Sequence, residues 1–120
     1  MDQSALIAKM AEQRSRWVSL NDGKRVKFRR PLETEFGKFR SGVTVDHLCE
    51  YVFDWEGFTE ADLLGPAIGA SDPVAFDPEL WSTVVRDRID YVQPIAEGIV
   101  AAITEHLEAR ETAGKNSPPS

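Results

Sequence analysis

The sequence predicts an α+β fold: a mostly helical single domain with an N-terminal β-hairpin and four to five helices. Three stretches carry that prediction. Trp17-Val18-Ser19-Leu20 and Arg25-Val26-Lys27-Phe28-Arg29 flank Asn21-Asp22-Gly23-Lys24. The second run alternates basic and apolar residues, the period of a strand with one wet face, and Asp22-Gly23 suits the positive φ of a tight turn. Val92, Ile95, Ala96, Ile99, Val100, Ile103 and Leu107 fall on one stripe at helical spacing. Asp77-Pro78-Glu79 is a helix start, with a capping carboxylate, a proline at the first helical position and an acid near the positive dipole end.

In chain order, Asp2 or Ser4 is placed to cap a first helix ending near Arg14 or Ser15, with Leu6, Ile7 and Met10 as its apolar positions. One narrow apolar face makes it marginal alone. It needs something to dock against. The hairpin follows, and its exposed cations Arg25, Lys27 and Arg29 are expected to discourage edge pairing. Pro31 ends the second strand. Leu32, Phe36 and Phe39 suggest a helix to Arg40 that Gly37 weakens. Thr44 is expected to cap a helix from Val45 to about Phe53. Thr59 with Asp62 resembles a capping box for a short helix that Gly65-Pro66 stops.

The stretch from Tyr51 to Trp81 mixes Trp55, Phe58, Phe76 and Trp81 with six glycines and prolines. Large rings bury much area while Gly and Pro interrupt regular structure, so it reads as an irregular, closely packed connector between helices. A helix over about 78–87 and a last one from about Asp90 to Arg110 complete the domain, with Pro94 expected in its first turn. The domain is expected to span 1–112, with a disordered tail over 113–120. The expected core is Trp17, Phe28, Phe36, Leu48, Val52, Trp55, Phe76, Trp81, Ile95, Ile99 and Ile103.

Length and charge bound the function. With 120 residues there is room for one domain. No apolar run is long enough to span a bilayer, and no basic region followed by an apolar run marks a signal peptide. Cys49 is the sole cysteine, which excludes an intrachain disulfide and suggests a reducing, cytoplasmic compartment. Net charge is −6, divided into +5 over residues 1–40 and −11 over 41–120. Complementary halves within one fold are the plainer account of that asymmetry.

No catalytic constellation stands out, so an enzyme is not expected. Asp46, His47, Cys49 and Glu50 are metal-capable types, but on a helix His47 and Cys49 point apart, and a zinc site needs three or four convergent ligands. No metal and no cofactor are expected. The glycines match no phosphate-binding pattern. Lys24 to Arg30 could contact phosphates, yet on an acidic chain a solvated strand face is the better account, and no nucleic acid is expected.

Several pieces carry a family resemblance by their order. They are Asn21-Asp22-Gly23-Lys24, Val26-Lys27-Phe28-Arg29-Arg30-Pro31, Tyr51-Val52-Phe53-Asp54-Trp55-Glu56-Gly57-Phe58, Leu63-Leu64-Gly65, Gly69 to Phe76, and Leu80-Trp81 with Asp87-Arg88. Over roughly residues 16–110 the chain resembles the small tail assembly chaperones of tailed bacteriophages. The resemblance implies a non-enzymatic protein of the host cytoplasm that binds the tape measure protein, or another tail protein, during tail morphogenesis. It implies no membrane partner and is compatible with a homo-oligomer. Binding would use an apolar groove beside the first helix or the 55–76 connector, with Trp55, Phe58 and Leu64 as candidate contacts. The alternatives are a tail or neck structural component and a nucleic-acid-binding module.

Overall fold

Five α-helices and one 3₁₀-helix surround a three-stranded antiparallel sheet, in a computed structural model that describes residues 1–115. The order is α1 (Gln3–Gln13), β1 (Ser15–Ser19), β2 (Arg25–Arg29), the 3₁₀-helix (Glu33–Phe39), α2 (Val45–Tyr51), β3 (Val52–Glu56), α3 (Glu60–Leu64), α4 (Pro78–Arg86) and α5 (Ile89–Lys115). The predicted fold class is the observed one.

The hairpin forms where expected. Asp22 and Gly23 both take positive φ, 58° and 74°, and Ser19 pairs with Arg25 while Ser15 pairs with Arg29. The third strand is new. β3 pairs with the free side of β2, so β2 is central and its cations guard no edge. The register skips Phe53: Lys27 lies opposite Asp54 and Phe28 opposite Val52. That bulge explains why a helix to Phe53 was expected instead. An extra residue resets strand alternation, so Val52 and Trp55 share the buried face although three positions apart. With Leu48 and Tyr51, this reproduces helical spacing in sequence.

Caps decide the short helices. Thr44 accepts from His47 N, and Thr59 Oγ1 accepts from Asp62 N while Asp62 Oδ2 accepts from Thr59 N. Asp77 accepts from Leu80 N ahead of Pro78. The segment after Pro31 forms a 3₁₀-helix rather than an α-helix, with Gly37 in its interior and Glu35 accepting from Leu32 N. Pro94 lies in the second turn of α5, not the first, where it lacks the N–H that would reach the carbonyl of Asp90. α5 runs to Lys115, so the first positions of the expected tail are helical. Residues 116–120 lie outside the described residues.

The core lies between the sheet, α2, α4 and α5. Phe28, Leu48, Val52, Trp55, Trp81, Ile95 and Ile99 are buried as expected. Trp17, Phe36, Phe76 and Ile103 are only half-buried, and Val26, Tyr51, Phe58, Val85, Tyr91 and Ala102 take interior places instead. Trp17 alternates with Val18 on β1, and it is Val18 that packs on the core. The α5 stripe is rotated toward Tyr91, leaving Val100 and Leu107 about half exposed. Gly98 sits where α5 crosses the hairpin: a Cβ there would come within 2.8 Å of Val18 Cγ2.

Candidate protein-binding surface

Trp55 and Phe58, two of the three candidate contacts, are core residues at 5% and 2% exposure. Their rings stack with centroids 4.2 Å apart, and Phe76 and Trp81 meet Trp55 edge-on. Trp55 Nε1 donates to Val74 O at 2.7 Å, so even its polar atom is answered inside the chain. This corrects their placement on an exposed surface: both rings are buried in a stacked cluster of the core. Leu64 is different. It ends α3 at 57% exposure, with Ile68 at 76% just beyond Gly65.

The larger apolar surface is on α1. Asp2 caps the helix by accepting from Ala5 N at 2.7 Å. None of its residues is buried, and Leu6, Ile7 and Met10 are each more than half exposed. Their i, i+1 and i+4 spacing puts them on one side of the helix. The docking partner that this helix needs is not supplied by the described residues. α1 is tied to the rest mainly at its C-terminal end, where Glu12 meets Lys27 Nζ at 2.7 Å and Arg14 O accepts from Arg30 N at 2.8 Å.

The cations of β2 are engaged within the fold. Arg25 Nε donates to Glu56 Oε2 at 2.7 Å, and its guanidinium lies 3.9 Å from the centroid of Trp17. That hydrogen bond raises the Arg25 pKa and lowers that of Glu56. Lys27 reaches Glu12, and Arg29 stacks on Phe53 at 4.3 Å. The metal-capable set of α2 is likewise spent on structure. Asp46 binds Arg86 at 2.6 Å, Glu50 binds Lys38 at 3.2 Å, and His47 Nδ1 accepts from Thr44 N at 3.0 Å. Cys49 Sγ donates to Ser82 Oγ at 3.5 Å. Among the described residues no group of three or more His, Cys, Asp or Glu is arranged to hold a metal.

The perturbed carboxylates mark caps and ion pairs. Burial alone would raise Asp62, but hydrogen bonds from Thr59 and then Lys24 outweigh it and hold the carboxyl below its ordinary value. Glu35 is lowered first by the Leu32 amide, despite burial, with Tyr51 and Lys38 adding to it. Burial, then the hydrogen bond to Glu35, pushes Tyr51 up. Glu33 is lowered first by His106, 2.6 Å away.

A second feature escaped the sequence reading. Arg14 and Arg16 flank Ser15, whose partner across the hairpin is Arg29, so closing the hairpin brings Arg30 beside them. The signal was arginine at both outer ends of a predicted hairpin; its meaning depends on α5 closing over that end. No helix among the described residues is long and apolar enough to cross a membrane. Comparison with protein families, curated proteins and solved structures finds no match to this chain.

Proposed function

We propose that the chain is a non-enzymatic tail assembly chaperone, a protein of the host cytoplasm that binds the tape measure protein during phage tail morphogenesis. One observation carries the reading: α1 holds Leu6, Ile7 and Met10 in water on a helix with no buried residue. A marginal helix with an unmet apolar face gains order and buries area by pairing with another amphipathic helix. The ordered resemblance of residues 16–110 supports the choice of partner. In this reading α1, with Leu64 and Ile68 as a second apolar point, replaces the buried Trp55 and Phe58 as the contact surface.

The test is co-expression of the full chain with the long helical product of a neighbouring tail gene. The soluble fraction of that product should rise with the chain present. Leu6→Glu with Met10→Glu should abolish the rise without moving the chain's own melting temperature, because neither residue is buried. A product equally soluble with and without the chain removes the chaperone reading. Peptides of the chain in mature virions at fixed stoichiometry favour a tail or neck structural component.

A further inference from the structure

Between the C-terminal end of α1 and the C-terminal half of α5 lies an open groove of about 530 Å³. Arg14, Arg16 and Arg30 line it, with Met10 on one apolar wall and Ala102 and Ala109 on the other. The Arg30 guanidinium is held below its ordinary pKa by burial first and by Arg14 next, with Glu33 opposing and Arg16 adding less. The bonds of these arginines run to main-chain oxygens: Arg16 Nη1 to Gln13 O and Ser15 O at 3.0 Å, Arg30 Nη1 to Pro31 O at 2.7 Å. Arg14 Nε is buried with no hydrogen-bond partner.

None of the three forms an ion pair among the described residues; Lys9, Arg29 and Arg40 share that state, while Lys24, Arg25, Lys27, Lys38, Arg86, Arg88 and Arg110 each meet a carboxylate. In a chain with 20 carboxylates against 14 Lys and Arg, what sets these three apart is that they line one groove together. The nearby acids do not cancel it. Glu33 already receives His106 and Arg110 at 2.6 Å each, and Glu105 lines the groove without reaching a guanidinium. Like charges held together are destabilising until a counter-group arrives.

We propose that this groove is a carboxylate-recognition site for an acidic, amphipathic segment of a partner protein. Its Asp or Glu side chains sit on Arg14, Arg16 and Arg30, and its apolar side packs on Met10 and Ala109, above the buried Ala102. The proposal rests on the reading of the chain as a protein-binding protein, and it does not depend on which partner that is. Guanidinium forks match carboxylates in a bidentate geometry. A lone inorganic anion would leave the apolar walls unused. A nucleic-acid backbone would bring repeated negative charge against Glu105 and Glu33, whereas a few carboxylates match the three arginines.

Fluorescence anisotropy on the full chain tests this, with a labelled helical peptide of about sixteen residues carrying leucines on one face and glutamates in its last turn, long enough to form several turns. The glutamate peptide should bind at least about tenfold more tightly than its glutamine twin. Arg14→Gln, Arg16→Gln or Arg30→Gln should each remove most of that difference. In thermal melts without ligand, Arg14→Met should match or exceed the parent melting temperature, because it removes a like charge and an unanswered donor; a clear fall makes Arg14 structural and overturns the site. Equal binding of the two peptides, or none, also overturns it. Equal binding leaves the apolar surface of α1 standing, while glutamate-specific binding alongside no effect on tail-protein solubility fails the chaperone reading alone. A single-stranded oligonucleotide that binds more tightly than the glutamate peptide, or inorganic phosphate that displaces it at equal concentration, replaces the proposal with a phosphate site.

Discussion

Lys24 is 7% exposed, with its ammonium 3.1 Å from Asp62 across the gap between the hairpin turn and α3. Asp62 also closes the capping box with Thr59. Asp62→Ala therefore removes a cap and strands a buried cation, for a loss of about 2 kcal/mol, moderated by the partial exposure of the carboxylate. A urea denaturation midpoint unchanged by this substitution would refute the role. The box was legible from Thr59 and Asp62; the ion pair was not, because it joins residues brought together only by folding. Asp62 and Glu35 titrate below their ordinary values of 3.8 and 4.5. A depressed folded pKa means the folded chain binds protons more weakly than the unfolded one, so the stabilisation is complete above those values. It is lost as pH falls through the depressed ones. The urea midpoint should decline below about pH 4.5, and one that rises on acidification would contradict both assignments.

Among the elements, α5 and α1 are opposites. Ile99 of α5 is fully buried, and Ile99→Ala should cost about 2–5 kcal/mol. Ile7→Ala on α1 should stay within about 0.5 kcal/mol, since no residue of that helix is buried. Comparable losses in chemical denaturation would place α1 in the cooperative core and undo its assignment as a free surface. Gly98 sets two effects against each other. Alanine gains about 1 kcal/mol of helix propensity, but its Cβ would press within 2.8 Å of Val18 Cγ2, on a stiff β-branched side chain beside Phe28. Overpacking costs about 1–3 kcal/mol, so Gly98→Ala should lower the melting temperature. Adding Val18→Ala should recover part of the loss. A Gly98→Ala variant that melts higher than the parent would show that the crossing is looser than described.

At the scale of the molecule, the division into a basic N-terminal third and an acidic remainder is partly resolved by pairing across it. Lys24 meets Asp62, Arg25 meets Glu56 and Lys38 meets Glu50. The cations of β2 also lie over Trp17 and Phe53. A chain of net charge −6 with these groups engaged should bind duplex DNA immeasurably at physiological salt. Anisotropy titration checks it. Micromolar binding lost on neutralising Arg25, Lys27 and Arg29 would make the hairpin a nucleic-acid interface.

Local chemistry was readable wherever a few neighbouring residues settle the backbone. Asp22-Gly23 specified the hairpin, Asp77-Pro78-Glu79 the start of α4, and the apolar spacing after Tyr91 the long helix, since turns, caps and periodicity act within a few positions. What depended on partners distant in sequence was not readable. β3 became a strand because β2 offered it an unpaired side, and its bulge hid the change by preserving helical spacing at Val52 and Trp55. Burial of Trp55 and Phe58, exposure of α1 and the gathering of Arg14, Arg16 and Arg30 were likewise decided in three dimensions. An aromatic or a cation looks the same in sequence whether it faces the core or a partner; only the packing of distant elements chooses between them.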